Sequence, residues 1–315
     1  MSELAIQVEH LVKTFERRRQ SVRAVDDLSF SVRRGSIFGL LGPNGAGKTT
    51  TLRIMTTLTR PTSGTVAVLG HDVVRAPLEV RKRIGVVIQE QAADLLLNTR
   101  DNLLTFARFH GQRGPAVRRR ADDVMAQFGI DGDADRKVQD LSGGVRRRIR
   151  VAKMFMIDVP IVFLDEFSSG MDAIMKRMAM NLLRVQAAEG RTIVLTTHIL
   201  TEAEELCDDI LIIDRGRQVA RGNLHALQQL TGRSSEVTLS FERLPEQLDT
   251  IVARHAAERV TVFDNTVQVR VRDEESRVME LVADLGWHGR ILRLEVAAAS
   301  LEDVFVELTR PGSSQ

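Results

Sequence analysis

The sequence has few of the features that would anchor, secrete or cross-link a protein. Its 315 residues include one cysteine, Cys207, which excludes an internal disulfide framework and favours a reducing compartment. No stretch approaches the roughly 18 consecutive apolar residues of a membrane-spanning helix, and the N-terminal residues lack the basic start and apolar core of a secretory signal. The 44 basic and 42 acidic residues nearly balance. We therefore expect a globular protein without a membrane span, and no nucleic-acid partner.

Apolar strand patterns alternate with helical patterns over the first two thirds of the chain. Residues 37–41 and 161–164 are apolar without polar gaps, as in strands covered on both faces of a sheet. This alternation predicts parallel βαβ units and an α/β fold. The other predicted elements are strands over 4–9, 28–32, 65–69, 83–88, 192–196, 209–213 and 217–220, an exposed loop at 17–21, and helices over 49–58, 94–137, 142–156, 173–188 and 203–207.

The pattern changes near residue 230. Residues 231–235 predict a linker, and the segment beyond it predicts the order βαββαβ, which is typical of a ferredoxin-like unit. We therefore predict one domain over 1–230 and a small α+β domain over 235–310. The predicted elements of this tail are strands over 236–242, 259–263, 266–272 and 290–296, and helices over 246–257, 274–285 and 301–309.

A glycine-rich turn joins the strand at 37–41 to the helix that follows it. Its spacing is G-x-x-x-x-G-K-[ST], and a buried strand before it and a helix after it are the context that this motif requires. Glycines let backbone N–H groups surround phosphates, and the helix N-terminus adds partial positive charge. We expect Lys48 to reach the β- and γ-phosphates and the Thr49 hydroxyl to ligate Mg²⁺. The predicted nucleotide-binding residues of this segment are Gly42, Pro43, Asn44, Gly45, Ala46, Gly47, Lys48, Thr49 and Thr50.

Two carboxylates end the buried strand at 161–164. Asp165 and Glu166 follow four apolar residues, so they lie at the carboxyl end of a central strand, where open α/β sheets bind ligands. Taken alone, two acids at a strand end are as often solvated side chains. Combined with the glycine-rich turn, they predict that Asp165 holds Mg²⁺ and that Glu166 orients an attacking water.

A second anion-binding helix start lies at residues 141–145, which read Leu-Ser-Gly-Gly-Val. A serine followed by two glycines predicts an N-cap with exposed backbone amides. Between the glycine-rich turn and the acidic strand end, this segment resembles the signature of the ATP-binding cassette (ABC) ATPases. That resemblance implies a P-loop ATPase fold with a parallel core sheet, an antiparallel β subdomain and a helical subdomain. It also implies a head-to-tail dimer, in which Ser142, Gly143 and Gly144 of one subunit contact ATP held by the other.

The resemblance covers about residues 4–222 and assigns roles to further residues. Gln89 is similar to the Q-loop glutamine, a metal ligand, and His198 to the switch histidine at the γ-phosphate. Phe15 occupies the position of an aromatic side chain that stacks on adenine, and residues 168–172 resemble the D-loop. Taken singly, Gln89 and His198 would more often be ordinary polar residues and Phe15 a core aromatic, so their joint order along the chain supports the assignment.

The resemblance also implies partners and a location. The tail after residue 235 resembles the extra domain of ATPases in ABC-2-type exporters, including drug exporters. We therefore expect a separate transmembrane permease, a homodimer of the ATPase, and a position on the cytoplasmic face of the cell membrane. The sequence departs from the family pattern at Val145, Phe167 and Met171, which affects the fine geometry of the dimer contact but removes no phosphate or metal ligand.

Two other functions compete with the exporter ATPase. A soluble ABC ATPase that acts on ribosomes or DNA usually carries two cassettes or a long coiled coil. This chain has one glycine-rich turn, one signature and no sustained heptads. An ordinary P-loop kinase is disfavoured by the signature, since it has no use for a second phosphate-binding helix start.

Overall fold

A computed structural model describes residues 3–17, 20–87, 93–169, 171–230, 234–255, 259–272, 275–298 and 300–309. The chain divides into two compact units, Met1–Val219 and Ala220–Gln315. The predicted domain bounds, 1–230 and 235–310, stay a prediction. No helix within the described residues is both long and apolar enough to cross a bilayer.

A six-stranded sheet forms the centre of the first unit. Its spatial order is β10-β9-β3-β8-β7-β6, and the five strands β9, β3, β8, β7 and β6 run parallel to one another. Strand β7 shows why the sheet is covered on both faces, because Val162 and Leu164 pack into one apolar core while Ile161 and Phe163 pack into the other. The bounds are β3 (Ile37–Leu41), β6 (Ile84–Val87), β7 (Ile161–Asp165), β8 (Thr192–Thr197), β9 (Asp209–Asp214) and β10 (Arg217–Gly222).

Helices follow the strands as predicted, with one difference in the helical segment. The helix predicted over 94–137 is two helices, because Asn98 caps the first by accepting a hydrogen bond from the Asp101 N–H (2.7 Å) and Gly114-Pro115 starts the second. Short 3₁₀ turns follow at Asp131–Asp133, Val138–Asp140 and Lys153–Met156. The helices of the first unit are α1 (Lys48–Met55), α2 (Pro77–Arg81), α3 (Thr99–Phe109), α4 (Pro115–Gln127), α5 (Gly143–Ala152), α6 (Ala173–Ala188) and α7 (Leu200–Leu206).

A second, antiparallel sheet corrects the prediction for the N-terminal region. Strands β1 (Leu4–Arg17) and β2 (Gln20–Arg33) form a long hairpin, and β4 (Ser63–Val68) and β5 (His71–Asp72) extend it in the order β2-β1-β4-β5. The loop predicted at 17–21 was too long, because Arg17 pairs with Gln20 and Glu16 with Ser21; residues 18 and 19 lie outside the described residues. Register shifts between residues 8 and 14 interrupt the alternation of apolar residues, so the sequence pattern did not show that the strands continue.

The second unit contains a four-stranded antiparallel sheet in the order β12-β13-β11-β14. With a helix after its first and third strands, this is the predicted βαββαβ order. The helices α9 and α10 share an apolar core with the inward residues of β11 and β13. The bounds are α8 (Leu224–Leu230), β11 (Ser234–Phe241), α9 (Leu248–Arg254), β12 (Arg259–Phe263), β13 (Thr266–Arg272), α10 (Glu275–His288), β14 (Ile291–Ala298) and α11 (Leu301–Thr309).

Candidate functional site

The glycine-rich turn lies between β3 and α1, at the carboxyl edge of the parallel sheet. Gly47 precedes the first helical residue with a left-handed φ of 105°, and a Cβ there would lie 2.4 Å from the carbonyl oxygen of Ala24. Only glycine fits this position, because both the backbone conformation and the close approach exclude a side chain. The turn therefore leads directly into a helix N-terminus, where backbone N–H groups attract anions.

The Lys48 side chain is buried inside this turn. Its Nζ donates hydrogen bonds to the carbonyl oxygens of Gly42 (2.7 Å) and Pro43 (3.1 Å). Burial lowers the pKa of Lys48, and the nearby carboxylates of Glu166 and Asp165 oppose that shift. The predicted phosphate-binding turn thus holds a cation at its centre, within the field of both acids.

Asp165 lies between the turn and the neighbouring strand. Its Oδ2 is 3.5 Å from the Thr49 hydroxyl, and its Oδ1 accepts a short hydrogen bond from the Thr196 hydroxyl on β8. Burial raises the pKa of Asp165, although the Thr196 hydrogen bond opposes the shift. Thr49 and Asp165 therefore bring two oxygen ligands together, and this donor set fits Mg²⁺, which prefers hydroxyl and carboxylate oxygens.

Glu166 and His198 form a second polar pair beyond Asp165. Glu166 has a left-handed backbone (φ 46°), and its N–H donates to the carbonyl oxygen of Thr196 (3.0 Å). Its Oε1 lies 3.1 Å from Nδ1 of His198. The turn after β7 thus directs this carboxylate out of the sheet towards the predicted switch histidine, and a proton on Nδ1 would be donated to it.

The Ser-Gly-Gly segment starts α5. The Ser142 hydroxyl accepts the Val145 N–H (3.4 Å) as an N-cap, while Ser142, Gly143 and Gly144 are all exposed. Arg146 holds the segment in place by donating to the carbonyl oxygens of Leu141 (3.0 Å) and Gln139 (2.6 Å). None of the contacts described above between the glycine-rich turn and the acidic strand end involves this helix tip.

Phe15 takes no part in the contacts described above. Phe15 is on β1, 41% exposed, with the Lys13 Nζ 4.9 Å from its ring centroid. An exposed ring is available for stacking, and its predicted contact with adenine stays a prediction. Gln89 lies outside the residues that the structure describes.

One buried carboxylate next to the site was not predicted from the sequence. Glu202, 1% exposed, lies on α7 and is within 2.7 Å of the Lys176 Nζ on α6. It also accepts hydrogen bonds from the hydroxyls of Ser168 (2.5 Å) and Thr197 (3.2 Å). Ser168 belongs to the predicted D-loop and Thr197 directly precedes His198, so Glu202 joins the two segments. Nothing in the sequence indicated this, since a glutamate in the first turn of a helix is usually solvated.

Comparisons with known proteins identify the family of this chain. The family described as ABC transporter matches residues 25–169. The Nod factor export ATP-binding protein I of Ralstonia nicotianae is 38% identical over 95% of this chain and 92% of its own. The daunorubicin/doxorubicin resistance ATP-binding protein of Streptomyces peucetius is 34% identical over 97% and 92%.

Solved structures show the same fold. An ATP binding subunit of an ABC transporter has a TM-score of 0.66 at 25% identity, over 72% of this chain and 93% of that one. A dimeric ATP-binding cassette bound to ADP and Pi has a TM-score of 0.64 at 23% identity, over 69% and 98%. The predicted α/β P-loop fold is thereby confirmed, and the chain belongs to the ABC transporter family, as an ATP-hydrolysing subunit.

Proposed function

We propose that this chain hydrolyses ATP in a head-to-tail dimer to power a membrane exporter. One observation carries the proposal: Lys48, Thr49, Asp165, Glu166 and His198 meet at one edge of the parallel sheet, while the signature helix tip is exposed. A pocket that contains the lysine, both acids and the histidine, and an exposed helix N-terminus that can bind an anion, would be the two halves of a shared site.

The glycine-rich turn and Lys48 would hold the triphosphate. The backbone amides of residues 42–49 and the start of α1 face the phosphates, Thr50 lies in the same first turn, and Lys48 exchanges its carbonyl partners for phosphate oxygens. Phe15 offers a ring for the adenine. Thr49 and Asp165, with Gln89 as a predicted third ligand, would hold Mg²⁺, which neutralises charge on the β- and γ-phosphates when bound.

Glu166 would orient the attacking water and accept its proton. The water oxygen forms a bond to the γ-phosphorus while the bond to the β–γ bridging oxygen breaks, so the products are ADP and inorganic phosphate. His198 fixes the Glu166 carboxylate and contacts the transferred phosphoryl group, and Lys48 stabilises the charge on it. Ser142, Gly143 and Gly144 of the opposite subunit would complete the γ-phosphate site through neutral N–H and O–H donors.

An apolar groove in the helical segment would receive the permease. A cavity of about 340 Å³ lies between α1, β6 and α3, and Leu58 and Phe109 line it; both side chains are exposed, 51% and 83% respectively. Val86 of β6 lines the groove, and β6 ends at Val87, two residues before Gln89 in the sequence. Docking there would keep the chain at the cytoplasmic face of the membrane. The two relatives with export and drug-resistance names favour an exporter over the soluble ATPase.

The shared site can be tested by mixing two inactive variants. Lys48→Ala disables the pocket, and Gly143→Asp adds a negative charge to the signature tip, where a Cβ meets no atom within 4 Å. We expect each variant alone to lose ATPase activity. Their mixture should recover activity, because a mixed dimer pairs the intact pocket of the Gly143→Asp chain with the intact signature of the Lys48→Ala chain.

The matched control is Gly132→Asp, since a Cβ at Gly132 also meets open space. It should leave ATPase activity unchanged, alone and in mixtures with wild-type chains. A mixture of Lys48→Ala and Gly143→Asp that stays inactive, although light scattering shows mixed dimers, would contradict the shared site.

A further inference from the structure

The outer edge of β14 in the second unit is apolar and accessible. Every residue from Leu292 to Ala297 is exposed, including Leu292 (63%), Leu294 (44%) and Val296 (53%). No strand in the described part of the chain pairs with this edge. Proteins usually protect edge strands by proline, short length, inward charges or bulges. Strand β14 has eight residues and no proline, and its one register shift against β11 lies between Ile291 and Arg293, at one end of the strand. This strand therefore presents unpaired backbone groups beside large aliphatic side chains.

The charges of β14 are arranged symmetrically about Leu294. Arg293 precedes it and Glu295 follows it, and within the chain these two form an exposed ion pair. In an antiparallel pair of identical strands centred on Leu294, Arg293 of one copy stands opposite Glu295 of the other, twice. Leu292 stands opposite Val296, and Leu294 opposite its own copy. Every cross-strand pair is then either apolar or oppositely charged, the combinations that stabilise sheets.

We propose that β14 pairs with β14 of a second copy of this chain, in an antiparallel, two-fold contact centred on Leu294. The contact joins the two four-stranded sheets into one of eight strands. Taken alone, the contact closes on itself because both copies use the same surface, so without nucleotide it gives a dimer. It goes beyond the ATPase proposal, since it needs no nucleotide.

The neighbouring registers are unfavourable. Directly opposed residues point to the same face of a sheet, so a symmetric pair must be centred on a residue. Centres at Arg293 or Glu295 place two like charges directly opposite each other, which is destabilising. Centres further along β14 shorten the overlap of the two strands.

The other edge of the sheet lacks this complementarity. Strand β12 is also largely exposed, but a two-fold pair centred on its middle residue, Thr261, places Arg259 opposite Phe263. No oppositely charged pair forms there. The symmetric charge pattern therefore distinguishes β14 from β12 as the contact between copies.

A cysteine at residue 294 tests the register in the full-length protein, without nucleotide. Directly opposed residues have Cα atoms about 4.5–5.5 Å apart, within the range that a disulfide spans. Leu294→Cys should form a disulfide-linked dimer under mild oxidation. In Val296→Cys the two cysteines are offset by four residues, on the order of 13 Å, so far less dimer should form. Burial raises the pKa of the Cys207 thiol, and a wild-type chain oxidised in parallel measures the background from this native cysteine. Equal crosslinking of the two variants, or none, overturns the proposal.

Charge exchange tests the contact by a second route. Arg293→Glu gives a chain with two acids at 293 and 295, and Glu295→Arg gives a chain with two bases. Each variant alone should associate about tenfold more weakly than wild type by analytical ultracentrifugation without nucleotide, because both cross-strand pairs become repulsive. The two variants mixed should associate with each other, since their charges are again opposite. Failure of the mixture to associate, or a wild-type chain that stays monomeric without ATP, overturns the β14 contact and leaves the ATPase proposal intact.

Discussion

Two helices of the first unit begin at glycine-containing anion sites, and their surroundings differ sharply. At α1 the turn is closed around the buried Lys48, with Asp165 and Glu166 near enough to act on its pKa. At α5 the Ser142 cap and the two glycines after it are exposed. Arg146 holds the preceding segment in place by donating hydrogen bonds to the carbonyl oxygens of residues 139 and 141. One helix start is the centre of a charged pocket, and the other is an exposed cap that is followed in the same helix by Arg146, Arg147 and Arg148.

In the proposed shared site, this difference makes the two halves unequal. The α1 half contains the cation, the acids and the histidine, so it would hold the charged ligand first. The α5 half offers backbone N–H groups and the Ser142 hydroxyl, which bind an anion weakly unless the ligand is already positioned. On this proposal the chemistry depends on the residues around α1, and closure of the site depends on the α5 tip of the opposite subunit.

Replacing Glu166 gives the largest expected effect, a loss of ATP turnover. Glu166→Gln keeps the shape and the hydrogen bond to His198 but cannot accept a proton. We expect ATP turnover to fall about 1,000-fold, while the ATP dissociation constant from calorimetry stays close to that of wild type. If the Glu166→Gln variant released phosphate as fast as wild type, Glu166 would not be the catalytic carboxylate. The main difference in function between the starts of α1 and α5 would then be lost.

Removing the charge of Glu202 tests whether the site around α1 depends on the contacts of this buried carboxylate with Ser168 and Thr197. Glu202→Gln weakens the contact with Lys176 but keeps acceptors and donors for Ser168 and Thr197. We expect the free energy of unfolding to fall by about 2 kcal/mol and turnover to fall about tenfold, because Thr197 leads into His198. Glu205→Gln, at an exposed position on the same helix, is the matched control. Equal effects of the two substitutions would show that Glu202 acts only through helix stability.

The smallest expected effect concerns the free energy of unfolding, to which Asp165 and Asp172 should contribute with opposite dependence on pH. Burial raises the pKa of Asp165 above the ordinary value of 3.8, so the folded state binds this proton more tightly than the unfolded state. Its contribution to stability is therefore greatest below pH 3.8 and is lost as the pH rises through the raised pKa. We expect Asp165→Asn to remove this loss of stability. The measurement is the free energy of unfolding by denaturant, without nucleotide, at several pH values.

Asp172 should give the opposite dependence of stability on pH. The backbone N–H of Met175 lowers the pKa of Asp172, so its contribution is present above the ordinary pKa of 3.8 and is lost as the pH falls through the lowered value. Asp172→Asn keeps a helix cap and should make stability less sensitive to acid. The same pH response in both variants would contradict the environments assigned to the two carboxylates.

The sequence allowed the central sheet and the charged pocket to be predicted, because both depend on local patterns. Four apolar residues before Asp165, and glycines spaced before Lys48, specify strand, turn and helix in order. The full length of the β1–β2 hairpin was hidden, since bulges reverse which residues face the core. The Glu202 contacts were hidden for another reason: Ser168, Lys176 and Thr197 meet this side chain only after two strands and two helices have packed.

Trp287 gives the protein a built-in spectroscopic reporter. It is the single tryptophan of a chain that has no tyrosine, and it lies 87% exposed near the end of α10. Emission excited in the near ultraviolet therefore comes from one position in the second unit. Because this ring is already exposed, unfolding changes its emission maximum little, whereas the anisotropy of the emission falls when the second unit loses its structure. Emission anisotropy and circular dichroism, followed together, therefore test whether the two units melt separately.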